Sequence, residues 1–367
     1  MNQNGFKFHD SWGPEYILKV YDNKSGMRGI LVVDNTRLGL GKGGIRMTPN
    51  ITEEEVFRLA RTMTWKNALA GIPFGGAKAG MIFDPDKDRN KKEAMVRAFA
   101  RAISNFVPKN YIAGPDVNSG EIEMKWIADE LNSRKASTGK PSRMGGLPHE
   151  LGSTGFGVAE AAKVAARLKN IDLKNAKIAI EGFGNVGSFA FKFLSKAGAK
   201  IVAVADSRGA ILNNNGLDFK KLAYLKKIRK RVSDYNDAKK LTRDGFFGLK
   251  IDILILATVT DVINKSNKNK IRANIIVEGA NIPMRENIEA EFHRRGILIV
   301  PDMIANAGGV ISSYAEYKGY KSKKMFAMVK QNINRTTQTV LKKSLRYNKN
   351  PRQVALDLAR KIIRKAS

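Results

Sequence analysis

The sequence contains no cysteine, and this absence excludes several kinds of chemistry at once. Disulfide bonds, thiol nucleophiles, iron–sulfur clusters and cysteine-ligated zinc all need a residue that the chain lacks. Histidine is scarce too: His9, His149 and His293 lie far apart in the sequence. Because histidine metal sites draw on closely spaced ligands, we expect no metal ion here.

Long apolar runs are also absent. No stretch approaches the roughly 18 apolar residues of a membrane-spanning helix, and the first residues, MNQNG, lack the apolar core of a signal peptide. We therefore expect a soluble, cytoplasmic protein with no membrane partner. Hydrophobic residues still make up 43% of the 367 positions. That share can bury the core of one large domain or two ordinary ones.

Negative charge is in short supply. Asp and Glu number 34 against 65 Lys and Arg, which gives a net charge of +31. Such a field attracts anions, whether nucleic acid, anionic lipid, or small acids and phosphates. In the basic stretch 220–231, Leu222, Leu225 and Ile228 are spaced as on a helix, so its lysines form the solvated face. We expect a basic surface, and we do not expect nucleic acid to be the primary partner.

A turn rich in glycine and proline at residues 139–146 divides the chain. Before it, a hairpin-like opening is followed by helices. After it, short apolar strands alternate with helices, a pattern typical of a doubly wound parallel sheet. The predicted strands are Lys177–Glu181, Lys200–Ala205, Ile251–Ala257, Asn274–Val277 and Ile297–Val300.

The pattern predicts three parts. Residues 1–150 form a first domain, which we expect to bind the substrate and carry the catalytic residues. Residues 151–320 form a dinucleotide-binding domain. Residues 321–367 form amphipathic helices, broken near Asn348–Pro351, that return to the first domain.

The motif GFGNVG at residues 182–187 follows a predicted strand and opens a helix that ends near Lys196. Three glycines, Gly182, Gly184 and Gly187, allow a tight turn and close approach of a pyrophosphate. Asn185 and Val186 begin the helix whose N-terminus faces that group. About 20 residues further on, the next strand ends at Asp206, where an acid binds ribose hydroxyls. The segment predicts a dinucleotide site.

The choice between NAD and NADP depends on the residues after that strand. The carboxylate of Asp206 repels a 2′-phosphate and favours NAD. Ser207 and Arg208 follow directly, and an arginine there can accept the phosphate. We favour NAD slightly and keep NADP as the alternative.

Three lysines of the first part stand in unusual surroundings. Lys42 lies in GKGG and Lys78 in FGGAKAG, where missing side chains let a ligand approach the backbone. Lys66 lies late in a helix that begins at Thr52, on the face of Leu59 and Met63, where a lysine must reach solvent or meet an anion. Taken alone, an exposed turn lysine is the simpler interpretation of Lys42 and of Lys78, and for Lys66 the two interpretations stand equal. If they converge, two can bind carboxylates while the third exchanges protons.

Asp116 lies in AGPDVNS, just before a predicted helix over Glu121–Leu131. Asn118 and Ser119 are the better candidates to cap that helix, which leaves Asp116 available for another role. From the residues alone, a structural loop acid is the simpler interpretation.

Taken in order, these motifs resemble the amino-acid dehydrogenase family of glutamate, leucine, phenylalanine and valine dehydrogenases. The segments are GKGGIRM, MTWKNALAGIPFGGAKAG, IAGPDVNSGEIEM, TGFGVAEA, IEGFGNVGS, VEGAN and ANAGGVISSYAE. The resemblance implies an α/β protein, with a substrate domain on a mixed sheet and a Rossmann-type nucleotide domain. It also implies oxidative deamination of an amino acid to a 2-oxo acid and ammonia, in a homo-oligomer such as a hexamer.

The resemblance also assigns roles. Lys66 would hold the substrate α-carboxylate, Lys78 would be the catalytic lysine that activates water, and Asp116 would exchange protons with the substrate nitrogen. Matches to positions near the cofactor fall on Thr154, Asn281 and Asn306.

Two positions bear on the substrate. Lys42 resembles the lysine of glutamate-type members that binds the side-chain carboxylate, where branched-chain members have an apolar residue. Ser313 matches the serine that shares this carboxylate. The loop Ile282-Pro283-Met284 departs from the glutamate type because it lacks the threonines usual there.

We therefore predict a glutamate dehydrogenase. The first alternative is a dehydrogenase of leucine, valine or phenylalanine. The second, from another class, is a basic anion- or nucleic-acid-binding protein on an inactive dehydrogenase scaffold. Lys66, Lys78 and Asp116 occurring together favour catalysis.

Overall fold

The computed structural model describes residues 8–148 and 151–366, so His149 lies outside the described residues. Within these residues the chain forms two compact units. The first contains the described parts of Met1–Leu151 and Ala359–Ser367, together with Val310–Met325. The second contains Gly152–Gly309 and Phe326–Leu358. The domain boundaries at 150 and 320 remain predictions from the sequence.

A five-stranded mixed sheet forms the centre of the first unit. Its strands are β1 (Tyr16–Asp22), β2 (Met27–Asn35), β3 (Gly41–Thr48), β4 (Gly75–Ile82) and β5 (Tyr111–Pro115). They lie in the order β1-β2-β4-β3-β5. The pairs β1–β2 and β2–β4 are antiparallel, whereas β3 runs parallel to β4 and β5. The mixed sheet that the resemblance implied is confirmed.

Glycines bring the backbones of this sheet close to their neighbours. A Cβ on Gly43 of β3 would overlap the carbonyl of Ala77 in β4. A Cβ on Gly76 of β4 would overlap Thr64, which lies in the helix that precedes this strand. The motifs GKGG and FGGAKAG are therefore packing requirements as well as candidate binding loops.

Three helices of the first unit come before residue 151: α1 (Glu53–Ala70), α2 (Lys92–Ala102) and α3 (Glu121–Glu130). The start of α1 is as predicted, because the Thr52 hydroxyl accepts from the Glu55 amide at 3.2 Å. The predicted cap of α3 is wrong: the helix begins after Gly120, whose amide donates to the Glu123 carboxylate at 2.6 Å. Ser119 instead donates to the Ile45 carbonyl at 2.6 Å and fixes the loop of Asp116 to β3.

A seven-stranded sheet forms the second unit, in the order β12-β11-β10-β6-β7-β8-β9. Its strands are β6 (Lys177–Glu181), β7 (Lys200–Asp206), β8 (Gly209–Leu212), β9 (Lys239–Leu241), β10 (Lys250–Leu256), β11 (Arg272–Glu278) and β12 (Leu298–Val300). The first five strands in this order are parallel, which confirms the doubly wound core. Two short antiparallel strands, β8 and β9, extend it beyond the prediction.

The remaining helices are α4 (Ser153–Leu168), α5 (Asn185–Lys196), α6 (Phe219–Lys227), α7 (Arg243–Phe247), α8 (Glu286–Arg294), α9 (Asp302–Ala305), α10 (Gly308–Tyr317), α11 (Ser322–Tyr347) and α12 (Pro351–Arg364). The basic helix α6 ends at Lys227, and Arg229 beyond it has a left-handed backbone. The break between α11 and α12 falls where the sequence placed it. In the described parts of the chain, no helix is long and apolar enough to cross a membrane.

Candidate active site

Lys42 points from β3 into the interior of the first unit, and only 3% of the residue is exposed. Its Nζ donates to the Ala113 carbonyl of β5 at 2.9 Å. A Cβ on Gly114 would overlap this ammonium, so the glycine makes room for it. Among the described residues, no carboxylate lies within 4 Å of Lys42 Nζ. The Lys42 amine is thus buried, and no carboxylate in the described part of the chain is in direct contact with it.

The charge of Lys42 depends on its surroundings. Burial lowers its pKa to about 7. The Glu316 carboxylate raises this pKa, whereas the ammonium groups of Lys140 and Lys78 lower it. A ligand carboxylate at this point would favour the protonated form.

Lys78 and Asp116 form a buried ion pair. Lys78 lies in β4 and Asp116 directly follows β5, and Lys78 Nζ contacts Asp116 Oδ2. Burial lowers the pKa of Lys78, and Asp116 partly opposes that effect. Burial also raises the pKa of Asp116, but the charges of Lys78 and Arg46 bring it below its ordinary value. A lysine and a carboxylate in contact can pass protons to and from a bound ligand.

Arg46 is a member of this cluster that the sequence analysis missed. Its Nε lies 3.4 Å from Asp116 Oδ2, and its guanidinium donates to Glu55 of α1 at 2.8 Å. Side chains two or four residues apart along a strand lie on the same face of the sheet. The position of Arg46, four residues after Lys42, could therefore have indicated that its side chain lies near the same site.

Lys66 is 9% exposed and lies near the end of α1. The predicted apolar face needs correction, because Leu59 and Met63 are only half-buried. From Thr64 to Ala70 every residue of the helix is buried, since the backbone of Gly76 packs against Thr64. Lys66 therefore belongs to an enclosed segment rather than to one apolar stripe. Ser313 is half-buried on α10.

A cavity of about 800 Å³ in the second unit is lined by most of the predicted dinucleotide residues. These are Gly182, Gly184, Asn185, Val186, Asp206 and Ser207. The remaining predicted position, Gly187, lies against the backbone, where a Cβ would overlap the Gly182 carbonyl. Space opens above Gly184, because no described residue beyond its chain neighbours has an atom within 4 Å of the place a Cβ would take. No side chain within residues 8–148 or 151–366 accepts a capping hydrogen bond at the start of α5, so this end of the helix fits a phosphate.

Basic residues that the motif did not predict line the same cavity. They are Arg208, Lys226, Arg229 and Lys230. Lys226 Nζ donates to the Gly184 carbonyl at 2.8 Å and to the Ser188 hydroxyl at 3.0 Å, so a cation stands at the glycine-rich turn. Their neighbour Asp206 accepts from the amides of Arg208 at 2.7 Å and Val232 at 3.1 Å.

The predicted cofactor positions Asn281 and Asn306 are in contact. Asn306 Nδ2 donates to Asn281 Oδ1 at 2.9 Å. Thr154 lies at the start of α4, against the start of α10, where a Cβ on Gly309 would stand 3.1 Å from its hydroxyl. No group of three or more His, Asp or Glu side chains in the described parts of the chain could hold a metal ion.

A dinucleotide cradle in one unit and a cluster of buried lysines with a carboxylate in the other define a nucleotide-dependent enzyme that acts on a small acid. Comparison with known families agrees. The family model for Glutamate/Leucine/Phenylalanine/Valine dehydrogenase matches residues 145–367, and the model for the dimerisation domain of the same family matches residues 14–133. The chain belongs to this family, as the resemblance predicted.

Individual relatives within this family are named glutamate dehydrogenases. An NADP-specific glutamate dehydrogenase of Saccharolobus shibatae is 40% identical over 84% of this chain and 77% of its own length. An NAD-specific glutamate dehydrogenase of Staphylococcus aureus is 39% identical over 77% of this chain and 70% of its own. The hetero-hexameric glutamate dehydrogenase of Thermus thermophilus, solved with leucine bound, superposes with a TM-score of 0.83 and 26% identity, covering 96% and 89% of the two chains.

Proposed function

We propose that this chain catalyses the reversible NAD(P)-dependent oxidative deamination of L-glutamate to 2-oxoglutarate and ammonia. The observation that carries the proposal is Lys42, a buried ammonium with no carboxylate of the described chain in contact. A buried charge is expensive unless a partner meets it. The side-chain carboxylate of glutamate supplies that partner, and the relatives named above act as glutamate dehydrogenases.

Substrate binding follows from the charges. Lys42 binds the side-chain carboxylate together with Ser313, and Lys66 binds the α-carboxylate. Two anchors at opposite ends of a short substrate fix its Cα, so that one face is presented for reaction. Lysine suits this task because its ammonium donates up to three hydrogen bonds to carboxylate oxygens.

The proton steps belong to Lys78 and Asp116. The nicotinamide cofactor, held at the glycine-rich turn, would supply the hydride acceptor. Asp116 takes a proton from the substrate ammonium, which prepares Cα for loss of the hydride. Lys78, in its neutral form, takes a proton from the water that attacks Cα, and Asp116 returns a proton to the departing nitrogen. As the C–N bond breaks, Asp116 takes the proton of the new hydroxyl and passes it to the ammonia, which leaves the 2-oxo group and ammonium. Burial keeps the pKa of Lys78 below its ordinary value, which suits a base near neutral pH. In total, glutamate, water and oxidised cofactor give 2-oxoglutarate, ammonium, reduced cofactor and a proton.

For the cofactor, we propose that the cradle accepts both NAD and NADP. Asp206 favours NAD, as the sequence analysis has it. The basic residues Arg208, Lys226, Arg229 and Lys230 that line the cavity support binding of the additional phosphate. Both oxygens of Asp206 already accept backbone hydrogen bonds, which moderates its repulsion of that phosphate.

An apolar amino acid is the alternative substrate. It would leave Lys42 buried without a counter-ion, so we place it second. The loop that departs from the glutamate type has a structural explanation: Met284 is fully buried in the core of the second unit, and the Ile282 amide donates to the Asp302 carboxylate at 2.9 Å.

We further propose that the chain forms a homo-oligomer, which analytical ultracentrifugation would test. A cytoplasmic location stays a prediction.

The test is an assay of the purified full chain. Glutamate should reduce NAD and NADP, and 2-oxoglutarate with ammonium should reoxidise both. Reduction by leucine or phenylalanine but not by glutamate would overturn the substrate. No reduction by any amino acid, with binding to an arbitrary oligonucleotide that persists at moderate salt, would favour the inactive basic scaffold.

A further inference from the structure

Among the described residues of the first unit, Lys66 and three further lysines are buried, and these three differ in their partners. Lys78 contacts Asp116, and Lys140 Nζ contacts Glu316 at 2.8 Å. Lys42 has the backbone carbonyl of Ala113 instead. The Lys140–Glu316 pair carries no part of the proposed reaction, yet it is buried: only 4% of Lys140 and 7% of Glu316 are exposed. Burying an ion pair outside the catalytic groups calls for an explanation.

Glu316 is held in place by several donors. Besides Lys140 Nζ, its carboxylate accepts from the amide of Gly139 at 2.9 Å and from that of Leu147 at 3.0 Å. Lys140 Nζ also donates to the Ser137 carbonyl. A carboxylate with this many fixed donors keeps one orientation.

The pair lies close to Lys42. The Ala113 carbonyl that accepts from Lys42 Nζ also accepts from the Thr138 amide at 3.0 Å, two residues before Lys140. On α10, Glu316 lies three residues after Ser313, hence on the same side of the helix. Glu316 and Lys140 both act electrostatically on Lys42, with opposite sign.

Resting on the proposed function, we propose that Lys140 and Glu316 are specificity-determining positioning residues for the substrate's side-chain carboxylate. Glu316 supplies the negative charge that keeps Lys42 protonated among three lysines. Lys140 binds Glu316 and so prevents it from pairing with Lys42 itself. Lys42 then carries a positive charge that Glu316 does not pair with, so a substrate carboxylate can bind it.

Other charged groups near Lys42 act in the same balance. Lys78 opposes protonation of Lys42, and Asp116 compensates Lys78. Tyr111 donates its hydroxyl to the Gly43 carbonyl at 3.0 Å, and burial raises the pKa of that hydroxyl, so it stays neutral. Glu316 is thus the carboxylate that raises the pKa of Lys42.

The first measurement is the pKa of Lys42 in the free protein, by NMR titration of the lysine ¹³Cε signals, with the Lys42 signal assigned by its loss in Lys42→Leu. In Glu316→Gln this pKa should fall. At a pH above the pKa, where the protonated fraction of Lys42 is small, the ratio of kcat/KM for glutamate to that for norvaline should then drop about tenfold for each pKa unit lost. In the wild type, the same ratio should decline as pH rises above about 7, because Lys42 loses its proton there.

Lys140→Met tests the second half. Freed Glu316 should pair with Lys42, so the Lys42 pKa should rise while KM for glutamate increases and KM for norvaline stays. Lys140→Arg keeps a cation beside Glu316 and should restore both values. If either loss variant lowers the glutamate and norvaline rates in parallel, or leaves the Lys42 pKa unchanged, the pair is a structural tie only and the inference is wrong. Because the NMR titration needs no turnover, it distinguishes this failure from a wild type that does not oxidise glutamate.

Discussion

At the scale of single residues, the chemistry rests on a few buried charges whose partners differ. Lys78 has a carboxylate in contact and a pKa lowered by burial, so it can release and take up a proton. Lys42 has a carbonyl in contact and a pKa of about 7, so its charge responds to a ligand. The same residue type therefore serves two purposes, decided by which neighbour lies within reach.

Replacing Lys78 should separate chemistry from cofactor binding. In Lys78→Ala we expect turnover to fall by about 10²–10⁴-fold, the usual contribution of a general acid–base group. Binding of NADP(H) should remain close to wild type, because Lys78 lies in β4, outside the dinucleotide cradle. Steady-state kinetics and cofactor fluorescence titration measure the two effects. Lys87→Ala, an exposed lysine of the same unit, is the matched control. Turnover within a few-fold of wild type would remove Lys78 from the mechanism.

Replacing Lys42 should alter substrate preference. In Lys42→Leu, the glutamate side-chain carboxylate loses its partner, at roughly 3–5 kcal/mol of transition-state stabilisation. Norvaline has no such carboxylate and should react about as well as before or better. The quantity to compare is kcat/KM for the two substrates in both proteins. Equal losses on both would mean that Lys42 supports the fold and does not select the substrate.

At the scale of elements, the turn after β7 and the start of α12 each organise a part of the second unit. Asp206 ends β7 and binds the amides of Arg208 and Val232. Arg352, on the first turn of α12, reaches three carboxylates: Glu289 at 2.7 Å, Glu278 at 2.8 Å and Asp302 at 3.0 Å. Asp302 in turn accepts from the amide of Ile282, next to the candidate cofactor residue Asn281.

Changing Asp206 should shift cofactor preference. In Asp206→Ser, the preference for NADP over NAD should rise by about tenfold, roughly 1.4 kcal/mol, because a negative charge beside the 2′-phosphate is removed. Asp206→Asn removes the charge and keeps an acceptor for the turn, so it should shift the ratio similarly. Steady-state constants for both cofactors measure it. An unchanged ratio in both variants would show that Asp206 does not contact the ribose.

Removing Arg352 should destabilise the second unit. Arg352→Met leaves the buried acidic side chains of Glu278, Glu289 and Asp302 without the guanidinium that they share, and we expect a loss of about 3–5 kcal/mol in the free energy of unfolding. Denaturant unfolding measures this loss, with Arg346→Met, a change at an exposed arginine, as control.

The pH dependence of this stability follows from Glu278. Burial raises the pKa of Glu278 well above 4.5, and the nearby charge of Glu289 raises it further, so the folded protein retains a proton that the unfolded chain releases. Stability should therefore decline as pH rises above about 4.5, more steeply in Arg352→Met. A loss that matches the control at every pH would contradict this role.

Local patterns and long-range contacts differ in how well the sequence predicts them. The strand, glycine turn, helix and acid of residues 177–206 form one contiguous unit, so periodicity and the motif predicted it closely. The two antiparallel strands β8 and β9 are short and lack such a motif. Lys140 and Glu316 are 176 residues apart, and nothing local indicates that they meet. Arg46 and the basic residues of the cradle were missed because charge alone does not separate a bound side chain from a solvated one.

At the scale of the whole molecule, the net charge of +31 fits an enzyme whose proposed organic ligands, the amino acid, the 2-oxo acid and the cofactor, carry negative net charge. Glutamate carries two carboxylates, and the cofactor carries phosphates. A positive field raises the local concentration of such ligands and their association rates, and salt weakens both effects. The charge thus needs no nucleic-acid partner, although it does not by itself select glutamate among amino acids. In the proposed function, that selection is the task of Lys42 and of the residues that keep it charged.

The most direct test of the account is the catalytic efficiency of the wild-type chain with glutamate, leucine, valine and phenylalanine, measured with saturating cofactor at one pH. The account predicts that kcat/KM for glutamate exceeds the other three by at least about 10²-fold, because an apolar side chain leaves Lys42 unpaired. A preference for leucine, valine or phenylalanine would contradict it.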